Sequence, residues 1–271
     1  MTTAIVPAPL DVQRILESID TMAAQKPVAA QIVARASADD TSAKELAAIL
    51  AGDLPLAGRV TKLANSAYFG MSGRVSSLQF AIAVVGFMTV RTMATVALTD
   101  LDDESRLPED FWLTSTHLAQ AATMLAPRFG ERPPDALCLG MLAQLGSALL
   151  HHNDPEGYAE LVAEEPDLPS RRLAEERRYG IHAQRLTAVA LEHWGFPRRM
   201  VAALYSLDDL TAPDGALLRV AFEVAARLSS RSHVPVPVGR LCGGLLTEDA
   251  LDLVVERVRA EAGGLRLAML G

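Results

Sequence analysis

The sequence is poor in cysteine and in long apolar runs, and each shortage excludes a class of protein. Its 271 residues include only two cysteines, Cys138 and Cys242, in apolar settings without a CxxC pair. We therefore expect buried, reduced thiols and no zinc site built on them. No apolar run approaches the roughly 20 residues of a membrane span, and residues 1–10 do not resemble a signal peptide. These features predict a cytoplasmic protein that does not bind a membrane.

Positive charge is also scarce, because 25 Lys and Arg face 33 Asp and Glu, which gives a net charge of −8. This balance argues against general nucleic-acid binding. Arginines do occur in adjacent pairs, at Arg171–Arg172, Arg177–Arg178 and Arg198–Arg199. The i, i+4 spacing of Arg171 and Arg172 to Glu175 and Glu176 favours a solvated helix face with exposed carboxylates.

Half of the residues are hydrophobic but only 5% are aromatic, a mixture typical of helices. Apolar residues recur at helical spacing along most of the chain, which predicts an all-α fold with two helical layers around one core. One long, almost wholly apolar helix is expected from Pro133 to about Leu149. Four further helices are predicted downstream, at about 155–164, 170–178, 182–194 and 197–205.

The stretch 54–98 has the clearest local pattern. Asp53 is placed to cap a helix that ends near Asn65. The string NSAYFG then brings two aromatic rings, Tyr68 and Phe69, before a glycine. Ser76–Gln79 has the spacing of a capping box that opens the next helix.

A glycine at position 86 interrupts the apolar run that follows, and a third helix is predicted after it. The string ANSAYFG, the serine-capped helix carrying Gln79 and Ala81, and the pair Val85 and Gly86 resemble the signature of the HDOD family. These bacterial signalling domains are related to the HD and HD-GYP phosphohydrolases. The resemblance implies a multi-helix fold, with an N-terminal helical bundle packed on a degenerate HD-type helical bundle.

The resemblance also implies a division of the chain. It extends over about residues 10–210, in two parts on either side of an acidic connection. The expected units are a tail at 1–9, an HDOD-like domain at 10–210 with parts at 10–100 and 108–210, and a C-terminal helical extension at 211–271 packed on the core.

Related enzymes carry histidines and aspartates that hold one or two metal ions, which activate a water molecule. On the family pattern, Thr114 stands where a histidine would be, and Ala143 and Gln144 replace the histidine–aspartate pair in MLAQLG. Ala183 replaces a further histidine, and Leu207 and Asp208 occupy the positions of a later histidine pair. None of the first four is a good metal ligand.

Six histidines are nevertheless present, so a displaced metal site on His117, Asp154 and His182 is an open alternative. Each of these histidines is more simply a surface residue or a hydrogen-bonded helix end. The sequence has no GxSxG elbow, phosphate-binding glycine loop or HExxH motif. We expect no cofactor.

The resemblance favours a non-catalytic signalling or scaffold module that binds regulatory proteins. The predicted interaction residues are those of the signature region, Asn65, Ser66, Tyr68, Phe69 and Gln79. One alternative is a divergent metal-dependent phosphohydrolase that uses the displaced histidines. Another is a protein that binds a nucleotide or cyclic dinucleotide without turnover, with the paired arginines meeting phosphates. The oligomeric state is left open.

Overall fold

A computed structural model describes residues 12–36, 38, 40–71, 73–101, 107–108, 111–229 and 233–270. The predicted tail at 1–9 and most of the acidic connection lie outside these residues. Within them every regular element is helical and no β-strand occurs, which confirms the all-α prediction.

Six helices form the first part of the fold. They are α1 (Val12–Gln25), α2 (Pro27–Arg35), α3 (Ala43–Leu50), α4 (Leu54–Ala64), α5 (Leu78–Val85) and α6 (Phe87–Leu98). A 3₁₀ turn, Ala67–Phe69, carries the two aromatic residues of the signature.

Seven helices form the second part. They are α7 (Phe111–Leu125), α8 (Pro133–Leu142), α9 (Leu145–Asn153), α10 (Pro155–Glu164), α11 (Leu168–Tyr179), α12 (Ala183–His193) and α13 (Arg198–Tyr205). Three more follow, α14 (Ala216–Ser229), α15 (Val238–Cys242) and α16 (Glu248–Leu270).

Helix starts in the first part follow from their capping residues. The Asp53 carboxylate accepts from the Leu56 N–H at 3.0 Å, as predicted, and fixes the start of α4. The predicted cap of α5 is wrong by one residue, because Ser77 rather than Ser76 accepts from the Phe80 N–H. Two adjacent serines give the same sequence pattern, and only Ser77 lies directly before the first helical residue. Gln79 therefore occupies the second helical position, and no capping box forms.

The single long helix predicted from Pro133 is also wrong, since it breaks at Ala143 and Gln144 into α8 and α9. A tertiary contact accounts for the break. The Gly146 N–H donates to Thr187 Oγ1 of α12 at 2.8 Å, in place of a carbonyl one turn earlier in its own helix. Gln144 is the polar residue at the break, but a single glutamine is compatible with a continuous helix and does not mark a break in advance.

Helix α7 lies at the centre of the molecule, packed against α8, α14 and α16. Helix α6 packs on α8 and so joins the two parts, while α16 also runs along α4. The C-terminal helices are therefore part of the same packed core. Within the described residues no single helix has the length and hydrophobicity to cross a membrane. Helices α5 and α6 meet both criteria only when they are taken together, and they are bent by 104° at the break between them.

Candidate functional site

A cavity of about 530 Å³ opens between α7, α9, α10, α11 and α14. Two of the four degenerate positions line it, Thr114 on α7 and Gln144 at the break between α8 and α9. The structure thus brings together two residues that the family pattern places at ligand positions. A volume of this size is ordinary for a small-molecule site.

The other two degenerate positions, Ala143 and Ala183, are fully buried in the contact between α9 and α12. The backbones approach so closely here that a Cβ on Gly146 would lie 1.8 Å from the Ala183 carbonyl oxygen. The Thr187 hydroxyl accepts from the Gly146 N–H and donates to the Ala183 carbonyl at 3.1 Å. This contact leaves no space for a side chain at position 146.

One end of the cavity is polar and uncharged. Gln144 is only 8% exposed, and its Oε1 accepts a hydrogen bond from Ser147 Oγ at 3.1 Å. No described residue accepts a hydrogen bond from the Gln144 side-chain Nε2. Since Gln144 lines the cavity, this nitrogen is one donor that the site offers to a bound molecule.

Behind this end lies a buried carboxylate that the sequence analysis assigned to the surface. Glu175 is 1% exposed and accepts from Tyr158 Oη and the Ala183 N–H, both at 2.8 Å. Burial raises the pKa of Glu175, and burial together with the nearby Glu175 charge raises the pKa of Tyr158 well above its usual value. The prediction of a solvated face at Glu175 is wrong, because α11 turns this residue towards α10 and α12.

The other end of the cavity is charged but balanced. Asp167 and Arg171 both line it, and Arg171 donates from Nε to the Glu165 carbonyl at 3.0 Å and from Nη2 to the Pro166 carbonyl at 3.0 Å. His233 lines the same end. Its Nε2 lies 3.0 Å from a Glu223 carboxylate oxygen and its Nδ1 lies 3.7 Å from Asp167 Oδ1.

The three residues of the displaced metal site each have another partner. His117 Nδ1 lies 3.2 Å from Ser229 Oγ, and burial lowers the pKa of this histidine. Asp154 caps α10 by accepting from the Gly157 N–H at 3.1 Å and also accepts from Tyr179 Oη at 3.0 Å.

His182 is likewise a helix cap. Its Nδ1 accepts from the Arg185 N–H at 3.3 Å, so Nε2 carries the proton and donates to Asp208 Oδ2 at 3.0 Å. Both ring nitrogens are therefore occupied by protein groups. Across the described part of the chain, no three His, Cys, Asp or Glu residues lie close enough together to hold a metal ion. The geometry gives no support to a site on His117, Asp154 and His182.

The first pair of arginines, Arg171 and Arg172, is engaged within the protein. Arg172 is turned inwards, where Nε donates to Gln184 Oε1 at 2.9 Å and Nη1 to Asp208 Oδ1 at 2.7 Å. Burial lowers the pKa of Arg172, although Asp208 opposes this shift. With Arg171 bound to two backbone carbonyls, the first pair serves mainly to hold loops in place.

Some residues of the signature region stabilise the local structure, and others are exposed. Asn65 clamps the following loop, since its Nδ2 donates to the Val75 carbonyl at 3.1 Å and its Oδ1 accepts from the Val75 N–H at 3.0 Å. Tyr68 and Phe69 meet edge to face at 4.9 Å between ring centroids and pack partly against the core. Burial raises the pKa of Tyr68.

Of the remaining signature residues, Gln79 is exposed at the start of α5, beside Phe80, which is 40% exposed. The Ser66 hydroxyl is buried and has no hydrogen-bond partner among the described residues. Helix α16 touches the 3₁₀ turn, so part of this region is covered within the molecule.

The sequence left open whether the degenerate pocket is open or filled, and it did not indicate three polar residues in or beside the cavity, Ser147, Tyr158 and Glu175. The available signal was spacing, because Ser147 follows Gln144 by one helical turn and Glu175 precedes Ala183 by eight residues. These spacings become informative only when the break between α8 and α9 and the packing of α11 are known.

Comparisons with known proteins agree with this fold. The family model of the HDOD domain matches residues 22–209. No protein among those with a curated function matches the chain.

Three solved structures share the architecture. A Shewanella amazonensis SB2B protein whose name suggests a phosphohydrolase is 22% identical over 95% of this chain and 98% of its own, with a TM-score of 0.69. An HDOD domain protein of unknown function from Geobacter sulfurreducens is 22% identical over 96% of this chain and 98% of its own, with a TM-score of 0.63.

The third structure is a Marinobacter aquaeolei VT8 protein whose name suggests signal transduction. It is 20% identical over 90% of this chain and 59% of its own, with a TM-score of 0.69. At these identities the likeness concerns the fold. The family match covers more than half of the chain, and the chain is therefore a member of the HDOD domain family.

Proposed function

We propose that this HDOD protein is a non-catalytic signalling module that acts by binding a regulatory protein. The observation that carries the proposal is the composition and packing of the four degenerate positions. Thr114 and Gln144 line the cavity with neutral groups, while Ala143 and Ala183 are sealed between α9 and α12. A metal-dependent hydrolase needs ionised or imidazole ligands at such positions to hold its metal and activate water.

The groups that could replace the lost ligands are already engaged. Both ring nitrogens of His182 have protein partners. Asp154 caps α10 and accepts a hydrogen bond from the Tyr179 hydroxyl. Recruiting them for a metal would leave a helix N–H and a buried hydroxyl without partners, which is costly. This supports a loss of catalysis rather than a rearranged centre.

The surface we propose for the partner begins at α5. Gln79 and Phe80 are exposed there, and Asn65 holds the adjoining loop in a fixed shape through its two bonds to Val75. An exposed aromatic ring on a rigid element is a common contributor to protein interfaces. The cytoplasmic location expected from the sequence is part of the same proposal.

Site-specific photo-crosslinking in living cells tests the proposal. A photoreactive phenylalanine analogue replaces Gln79 in one strain and the exposed Arg128 in a control strain. We expect one discrete heterologous adduct from position 79 and none from position 128. The same pattern at both positions, or no adduct from position 79, would argue against this surface.

A hydrolysis assay addresses the catalytic alternative separately. Purified protein supplied with manganese or iron is offered bis(p-nitrophenyl) phosphate, and we expect no turnover above the blank. Turnover that is lost in both His117→Ala and His182→Ala would establish the divergent phosphohydrolase instead.

A further inference from the structure

We propose that the cavity between α7, α9, α10, α11 and α14 binds a small uncharged organic molecule, with an apolar ring and a hydrogen-bond acceptor for Gln144. The inference deepens the proposed function, on which it rests, by giving the signalling module a chemical input. Its evidence lies in the cavity walls, the side-chain donor of Gln144 and the charge balance.

Much of the cavity wall is apolar, which favours an apolar ligand. Phe111 of α7 and Phe222 of α14 line the cavity together with Val162 and Leu168. Both rings are almost completely buried within the protein, at 4% and 6% exposed, so their positions are fixed by the core. Fixed aromatic and aliphatic walls around about 530 Å³ favour a ring-containing molecule, which loses little conformational entropy on binding.

The polar end supplies a directional contact. The Gln144 side chain is more than nine-tenths buried and lines the cavity, with Oε1 fixed by Ser147 and Nε2 unused by any described residue. Nε2 is not among the fully buried atoms without a partner, so it faces the open cavity, where a ligand acceptor can take the place of water. A carbonyl or ring nitrogen on the ligand supplies this acceptor.

The charged end argues against an ionic ligand. Asp167 and Arg171 contribute one charge of each sign, and two of the Arg171 donor groups are bound to backbone carbonyls. His233 is held by Glu223, a further carboxylate. A phosphate group here would be repelled by the Asp167 carboxylate, and the Arg171 guanidinium is not free to form two parallel hydrogen bonds with it. The nucleotide-binding alternative therefore gains no support from this cavity.

A charge series of one ring compound tests the proposal. Benzamide is uncharged, benzoate and phenyl phosphate are anions, and benzamidine is a cation, while the phenyl ring is constant. Saturation-transfer NMR and titration with the full-length protein measure binding of each probe. We expect benzamide to bind at least about tenfold more tightly than each of the three charged probes. Benzamide offers a carbonyl acceptor and brings no charge into the cavity, whereas each of the other probes buries a charge that has no partner there.

Two variants and one control locate the binding. Gln144→Leu keeps the volume but removes the donor, and we expect about tenfold weaker benzamide binding. Ala163→Trp adds bulk at an exposed position on the cavity rim and should abolish binding without disturbing the core. The control Gln79→Leu makes the same chemical change at an exposed position outside the cavity and should leave binding unchanged.

Three results would overturn the inference. They are no benzamide signal, tighter binding of a charged probe, or benzamide binding that is indifferent to both Gln144→Leu and Ala163→Trp. None of these results involves hydrolysis or a protein partner, so failure of the inference is distinguishable from failure of the proposed function.

Discussion

Arg91 connects the two parts of the fold through side-chain hydrogen bonds. It is 1% exposed in α6, yet it donates to the Trp194 carbonyl at 2.6 Å and the Gly195 carbonyl at 3.3 Å, beyond the end of α12. Its guanidinium also lies 4.0 Å from the ring centre of Phe196. Burial lowers the pKa of Arg91 to about 10, which leaves it charged at neutral pH.

Replacement of this arginine should destabilise the whole protein. We expect Arg91→Ala to lower the free energy of unfolding by about 3 kcal/mol, because two partly buried carbonyls lose a charged donor and the buried Arg91 side chain leaves a cavity. Arg91→Lys should lower the free energy of unfolding by less, since lysine keeps the positive charge but cannot donate to both carbonyls as the guanidinium does. Urea denaturation measures both, with the exposed Arg198→Ala as control. Equal effects at positions 91 and 198 would show that the hydrogen bonds of Arg91 do not contribute to stability.

Asp208 gives the protein a pH-dependent contact with His182 and Arg172. The hydrogen bond from His182, followed by the charge of Arg172, holds the pKa of Asp208 below its usual value. A carboxyl whose pKa is lowered by folding stabilises the protein when ionised. That stabilisation is lost as the pH falls through the folded-state pKa.

Asp208→Asn should therefore be less stable than wild type at pH 7. The side chain is 54% exposed, so solvent screening limits the difference to less than about 1 kcal/mol. Urea denaturation from pH 7 downwards should show the two proteins converge below about pH 4, where the unfolded-state carboxyl takes up its proton. A gap that stays constant in acid would contradict this assignment.

At the scale of elements, the contact between α9 and α12 shapes the site. Gly146 permits it, because any Cβ there would meet the Ala183 carbonyl oxygen at 1.8 Å. The contact closes the space around Ala143 and Ala183 and also sets the break that places Gln144 in the cavity. Helix packing and site chemistry are thus linked through one glycine.

Alanine substitution of two glycines tests this linkage. We expect Gly146→Ala to lower the free energy of unfolding by at least about 3 kcal/mol, since α9 and α12 must move apart. Gly58→Ala in α4 meets nothing within 4 Å and should stabilise by about 0.5–1 kcal/mol through its higher helix propensity. Thermal and urea unfolding compare the pair. A mild effect at position 146 would mean that the contact is not tight.

The same elements explain what the sequence could predict. Helices with a polar stripe or a capping residue were recognisable, and those predicted at about 155–164 and 197–205 are found at Pro155–Glu164 and Arg198–Tyr205. The break after Leu142 was not recognisable, because its cause is a hydrogen bond to Thr187, 41 residues away from Gly146. Glu175 was missed for a similar reason, since its hydrogen-bond donors are on α10 and at the start of α12.

Across the whole molecule, the cavity depends on more than the family domain. The HDOD match ends at residue 209, whereas Phe222 and Ser229 of α14 form one wall of the cavity. Helices α14 and α16 also pack directly on α7. The C-terminal helices therefore complete both the core and the cavity.

We propose that this HDOD protein acts by binding and holds no catalytic metal, and its metal content is the most direct test. The protein is purified without chelator, offered iron, manganese and zinc, washed, and analysed by inductively coupled plasma mass spectrometry. We predict far less than one metal ion per chain, with no difference between wild type, His117→Ala and His182→Ala. Stoichiometric metal that disappears in either variant would contradict the account and identify a displaced catalytic centre.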